Sequence, residues 1–419
     1  MSQSTATVRT TADLANACES EAITQIRVEG ELGEVPRLRL NPGVTMQGAD
    51  ASARLRFVDG VDGICLTRDN RLEALQLHAG DQQRAICNDT GVASLGTLVL
   101  KDVSARGQVS LVASEAVRSG HVVVDGLDVV SADCRHYGER PRGYGVAVVQ
   151  GAFTLWNRSD DRTVLITADL SGISAGRPGA PVLGSGIFVS GGGDDGAVLQ
   201  VSRLVTGAVH STAGIEAGLA DVISGGVFTV YGARVGLVHN LAEVVTYGQN
   251  DMVLDNWGSV DTWIAEAAVQ SHGPSGVGFV NFGVLNDLVV NAPIETFGQG
   301  SRGFNVYDGT LRRATFDRIV TYADGAVGIQ VSKTIDSLTV RRGIETFGGT
   351  GQSLVKGVMM DLAATPLSIK PGGSAKEIHI SGGLISHGKG VQPLEMNGEI
   401  GSLHIDGAMV AAGGGFDSL

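Results

Sequence analysis

The segments Val245-Thr246-Tyr247-Gly248, Gln270-Ser271-His272-Gly273, Glu295-Thr296-Phe297-Gly298, Val320-Thr321-Tyr322-Ala323 and Glu345-Thr346-Phe347-Gly348 succeed one another without a slip, the numbering rising by 25 each time. A sixth, Ile385-Ser386-His387-Gly388, comes later than one period allows, so extra chain intervenes, and a further period on stands Gly413. Repetition at a fixed interval marks a solenoid, in which each repeat buries its apolar face only by stacking on the next. Two apolar columns keep the same register: Leu254, Phe279, Phe304 and Ile329 form one, Val269, Ile294, Ile319 and Ile344 the other. Between them the runs are short, rich in β-branched residues and closed by Gly, Asn or Asp, the punctuation of strands and turns. Spacing of three and four, which helical repeats would need, is missing.

A period of this length holds about three short strands and three turns, with neighbouring coils roughly 4.8 Å apart. The expected fold is therefore all-β: a single-stranded, right-handed parallel β-helix of about 25 residues per coil, running over 1–419 as one domain. A stack needs a lid. Thr11-Ala12-Asp13-Leu14-Ala15-Asn16-Ala17-Cys18 reads as a short amphipathic helix starting near Thr11 or Asp13, and 1–22 is the expected N-terminal cap. Two stretches break the pattern and are expected as insertions, 131–145 and 358–377, the latter around Lys370-Pro371-Gly372-Gly373.

Composition agrees. Glycine, at 61 of 419 residues, is about twice its usual share, yet 43% of the chain is hydrophobic, so the glycines punctuate strands rather than mark disorder. The net charge of −13 and the lack of any Lys/Arg run exclude nucleic acid as an expected partner. No apolar run is long enough for a membrane span or a secretory leader, which predicts no membrane partner and a cytoplasmic location. Cys18, Cys65, Cys87 and Cys134 lack zinc-like spacing and read as reduced thiols inside strands or caps, and no residues are assigned to a metal.

The cap helix, Ile26-Arg27-Val28-Glu29-Gly30, and Leu38-Arg39-Leu40-Asn41-Pro42-Gly43-Val44-Thr45-Met46-Gln47-Gly48 together resemble the first coils of the pectin-lyase-like superfamily, and the layout is similar along most of the chain. The resemblance implies a β-helix that binds or acts on an oligosaccharide or polysaccharide along its lateral face, as a glycoside hydrolase or lyase. The superfamily also holds non-catalytic adhesins and spikes, and fold alone does not choose among them. Its active-site signatures are missing here. There is no Asn-Thr-Asp, Arg-Ile-Lys or Asp-Pro-His, and Ser386-His387-Gly388-Lys389 keeps only the last two positions of Gly-His-Gly.

Strand alternation sends neighbouring side chains to opposite faces. In Ile294-Glu295-Thr296-Phe297 the isoleucine and threonine belong inside, and the glutamate and phenylalanine outside. Extended over the coils, this predicts an outer ladder of Tyr247, His272, Phe297, Tyr322, Phe347 and His387. Such a strip covers a turn, packs against another copy in a homo-oligomer, or serves as a sugar platform. Thr246, Ser271, Thr296, Thr321, Thr346 and Ser386 form an inner hydroxyl ladder expected to bond along the coil axis, and Asn256 and Asn281 are expected to do the same at turns.

Beside the rings, Glu295 and Glu345 stand two coils apart, roughly 9.5 Å between backbones, near the upper limit for the carboxylate pair of an inverting glycosidase. Asp194 and Asp195, in Gly191-Gly192-Gly193-Asp194-Asp195-Gly196, are a second candidate acid–base pair. No cofactor is expected, although that loop could hold a hard cation such as calcium. In the stretch Asp133 to Tyr144, Arg135, Tyr137 and Arg142, followed by Trp156, could overhang a groove and contact an acidic sugar. Two functions follow from different classes: a saccharide-binding or saccharide-cleaving β-helix, and a non-catalytic scaffold that associates through its ring ladder. Asp308 and Lys333, one period apart, are expected to form a surface ion pair.

Overall fold

The computed structural model describes residues 4–355 and 358–414. Strands dominate them, with a single α-helix, Thr11–Glu19. No helix among these residues is long and apolar enough to cross a membrane. The chain forms two compact units. The first comprises Met1–Gly138, Gln150–Ala208 and Val230–Val235, and the second Glu139–Val149, Val209–Thr229 and Gly236–Leu419.

In the first unit the strand Thr5–Val8 precedes the helix and pairs in parallel with Gln25–Val28. The helix is capped by Thr10, one residue before the expected start; its hydroxyl accepts from the Asp13 amide at 3.1 Å, satisfying one orphan donor of the first turn. Leu14, Ala17 and Cys18 form its buried stripe, and the Asn41 side-chain amide donates to the Cys18 carbonyl near its end. Beyond it, parallel strands stack at unequal intervals: Thr5 on Gln25, Arg54 on Gln76, Val99 on Val123, Ser119 on Leu165. All four cysteines lie in this unit, buried and free.

The second unit is regular. Its first ladder aligns Val244, Val269, Ile294, Ile319, Ile344, Leu384 and Met409 through parallel pairings. A second aligns Val260, Leu285, Leu311, Ile335, Ala375 and Ile400, and a third aligns Leu254, Phe279, Phe304, Ile329, Leu367 and Leu394. Three strands per coil and the predicted columns are thus present. Val269, Ile294, Phe279 and Phe304 are fully buried, each burial contributing roughly 1.5–3 kcal/mol. Asn250, Ser275, Gly300 and Gly325 hold the turn after the ring at φ between 56° and 71°, and each donates its amide to a carbonyl of the following coil.

Two expectations need correction here. The inner hydroxyls are fully buried, and their short bonds run across their own turn rather than along the stack: Thr321 and Ser386 donate to the carbonyls of Ala326 and Val391 at 2.6 Å, while Ser386 reaches the Val410 carbonyl of the next coil only at 3.5 Å. The asparagines do bond along it, Thr229 donating to Asn256 and Asn256 to Asn281, both at 2.8 Å. The extra residues after Phe347 form an antiparallel hairpin, Thr350–Val355 with Val358–Ala363, whose first strand precedes the stretch 358–377 and whose second lies inside it. Lys370 to Gly373 is an ordinary coil turn between the ladder strands Leu367–Ile369 and Ser374–Ile380. Pro-Gly-Gly looks like a loop in sequence, while the apolar hairpin looks like more ladder.

Candidate functional site

On the third ladder of the second unit, the column Phe228, Asp255, Val280, Asn305, Gln330 and Ser368 points away from the core, yet every member is buried. Two hairpins cover it. One is Thr350–Ala363. The Arg302 guanidinium donates to the Ser353 hydroxyl at 3.0 Å, and the Leu354 amide donates to the Ser275 hydroxyl at 3.3 Å. The other joins Arg142–Gly143 to Val146–Val148 through Tyr144 and Gly145. Both turn residues have positive φ, 52° and 86°, as a two-residue type I′ turn requires. Tyrosine is costly in that conformation. Its ring meets Trp257 edge-on at 5.1 Å and lies 4.5 Å from Phe282, and its hydroxyl donates to the Phe282 carbonyl at 3.2 Å.

Under the covers lies a cavity of about 320 Å³ whose lining includes Tyr144, Met252, Asp255, Phe282, Arg302 and Tyr307. Its ring wall follows the repeat, with Phe282 stacked on Tyr307 at 5.2 Å, and Trp257, outside the lining, meets Phe282 edge-on at 5.8 Å. Arg302 reaches this face because Gly303 turns inward in its place: a Cβ on Gly303 would sit 2.3 Å from Ile319 Cγ2. Its guanidinium, fully buried, donates to Gln330 Oε1, to Ser353 and to the carbonyls of Gly300 and Leu354, all neutral acceptors. Burial pulls its pKa down.

Neither carboxyl oxygen of Asp255 has a hydrogen-bond partner of normal geometry, and the residue is fully buried. Burial raises its pKa well above the usual carboxylate range, with the Trp257 indole as the only opposing influence, so the neutral acid is favoured. A neutral carboxylic acid both donates and accepts. The cavity thus combines aromatic walls, one buried donor–acceptor group and one buried cation, within the usual size range of small-molecule sites.

The predicted ring ladder assembles in the same unit. Tyr247, His272, Phe297, Tyr322, Phe347 and His387 stack face to face with centroids 4.4–5.3 Å apart and planes within 11°. His210, which the repeat does not reach, extends the stack beyond Tyr247 at 6.1 Å. The ring faces are spent on one another, so Phe297, Tyr322 and Phe347, 36–41% exposed, offer mainly their edges to solvent. Burial holds the His272 imidazole below its usual range, against the pull of Glu295.

Glu295 and Glu345 flank this stack two coils apart, with Val320 between them. Glu295 accepts from the Gln270 amide at 2.8 Å and from the Tyr322 hydroxyl at 3.2 Å. Glu345 is ion-paired with Arg318 and lies 2.8 Å from His387 Nε2. Burial works to raise the Glu345 pKa, but His387 and Arg318 hold it below the usual value.

The remaining candidates do not join these groups. Asp194 and Asp195 are exposed in the first unit, Asp195 ion-paired with Arg162. Arg135 is spent on Asp133 at 2.8 and 2.9 Å. Tyr137 is buried under the Arg84 guanidinium and donates to the Gln82 carbonyl. Trp156 is buried, its indole donating to the Gly191 carbonyl at 3.1 Å. Both rings therefore sit inside the first unit rather than overhanging a groove. Arg142 is exposed, in the second unit beside the Tyr144 turn.

No protein-family model, curated protein or solved structure matches this chain. Whatever the site does must be read from its own residues. Asp255, Arg302, Phe282 and Tyr307 were not singled out from sequence, although Trp257, Phe282 and Tyr307 recur at the same period, as regularly as the outer rings.

Proposed function

We propose that the chain is a right-handed, single-stranded parallel β-helix resembling the pectin-lyase-like superfamily, and that its second unit binds a short saccharide in the ring-lined cavity. The observation that carries this reading is Asp255, a buried acid whose carboxyl oxygens have no hydrogen bond of normal geometry, beside an aromatic wall and the buried Arg302. A sugar ring offers apolar C–H faces to Phe282, Tyr307 and Tyr144, while its hydroxyls donate to and accept from Asp255 and accept from Arg302. Leaving the acid without a well-formed hydrogen bond costs about 1–3 kcal/mol, which a hydroxyl would recover. Tyr144, half exposed on a strained turn, is the group that yields to admit the ligand.

The test is titration of the protein with an oligosaccharide panel, read by fluorescence of Trp257 and by assay for new reducing ends or unsaturated products. Binding should weaken about tenfold or more in Tyr144→Ala and in Asp255→Asn, with circular dichroism unchanged. A panel without any binder, or binding indifferent to Tyr144→Ala, ends the proposal.

A second reading, self-association through the outer ladder, is favoured by the exposed ring edges of Phe297, Tyr322 and Phe347. It requires an oligomer in light scattering that Phe297→Ser with Phe347→Ser dissolves. A monomeric parent protein removes it.

A further inference from the structure

His379 and His404 are register partners on the neighbouring strands Ser374–Ile380 and Glu399–Ile405 of the second unit. Alternation fixes their direction: Ile378 and Ile380 are fully buried, so His379 between them faces out. Asp406 follows the second strand, its amide donating to the Ile380 carbonyl at 3.0 Å. That bond holds it at the end of the histidine pair.

The three side chains converge on one point. His379 Nε2 lies 2.8 Å from one Asp406 oxygen, and His404 Nε2 lies 2.7 Å from the other. The rings stand edge to face, 5.0 Å between centroids, and the three donor atoms lie within 4.8 Å of one another.

We propose that His379, His404 and Asp406 form a binding site for a zinc-class divalent cation, with water completing the coordination. Two imidazoles and one carboxylate suit zinc and its late first-row neighbours, whereas calcium and magnesium require sets of oxygen ligands. Zinc–ligand distances of roughly 2.0–2.2 Å need only small side-chain rotations from this arrangement. Because the histidines belong to successive coils, the cation would clip those coils together. The site is independent of the saccharide cavity.

Calorimetric titration of the untagged full chain, stripped with a chelator, tests this. With zinc chloride we expect one equivalent to bind and the thermal transition of the protein to rise; calcium and magnesium should do neither. His404→Ala and Asp406→Asn should each weaken zinc binding about tenfold or more, while His136→Ala, an exposed histidine of the first unit, should not. Absence of stoichiometric zinc binding, or binding that survives His404→Ala and Asp406→Asn unchanged, overturns the proposal.

Discussion

In the second unit a Cβ on Gly298 would meet the Gly273 carbonyl oxygen at 1.8 Å, and one on Gly273 would meet that of Gly248 at the same distance. In the first unit Gly30 and Gly43, at φ of 72° and 78°, have nothing within 4 Å of such an atom. The same residue answers two needs. Where coils repeat without slip, backbone lies directly on backbone and only hydrogen fits between. At Gly30 and Gly43 glycine supplies a left-handed turn and the space around it is open, although Gly48 and Gly63 of the same unit also lie against backbone. A strict period therefore brings equivalent side chains into columns and makes each turn sterically dependent on the next.

Gly298→Ala tests the contrast most severely. Overpacking against backbone should destabilise the second unit by about 3 kcal/mol or more, whereas Gly30→Ala should cost the first unit only about 1–2 kcal/mol of backbone strain. Hydrogen exchange resolved by peptide separates the two units. Equal effects would mean that the tight turns relax freely.

Acid response should differ next. Asp251, buried, accepts from the Ser224 hydroxyl at 2.6 Å and the Gly248 amide at 2.7 Å, but burial raises its pKa to about 6. A folded-state value above the unfolded one favours folding at low pH, and this contribution, on the order of 3 kcal/mol, is lost as pH rises from about 4 through about 6. Asp251→Asn should remove that slope from denaturation curves of the second unit. In the first unit, Asp133 is held below the ordinary value by Arg135, so its contribution runs the other way and is lost as pH falls. A slope unchanged in Asp251→Asn would contradict the assignment.

Phe297→Ser should cost about 2 kcal/mol, since the ring is only partly exposed and stacks on His272 at 4.7 Å and Tyr322 at 4.8 Å. Urea denaturation followed at Trp257 and Trp263 measures it, and a cost near zero would show that ring stacking adds nothing to the repeat. The smallest effect belongs to Lys333 and Asp308, 3.6 Å apart and about half exposed. Lys333→Ala should change stability by less than about 0.5 kcal/mol; a larger loss would mean that surface pairs also hold the coils.

Inner and outer faces differ in how far sequence reaches them. Ile294 and Phe304 were legible as core, and Phe297 as outward, because the period and strand alternation together assign each letter a column and a face. Arg302 was not legible, since Gly303 breaks the alternation and turns the arginine outward. Asp255 gave no sign of burial, because alternation alone would place it in water. The insertion after Phe347 was legible from the lengthened interval, but its first strand was not, because Thr350–Val355 looks like a ladder strand.

The sequence by itself determined the stack: a fixed period makes matching residues neighbours, and the ladders, stacked rings and paired asparagines follow from it. Only the tertiary structure decided that one outward column is covered, and so made Asp255 a buried acid, Arg302 a buried cation and the space beside them a cavity. The physical reason is that periodicity specifies contacts between equivalent positions of successive coils. A hairpin that leaves the repeat and folds back over a face has no equivalent in the next coil, and its destination is set by packing alone.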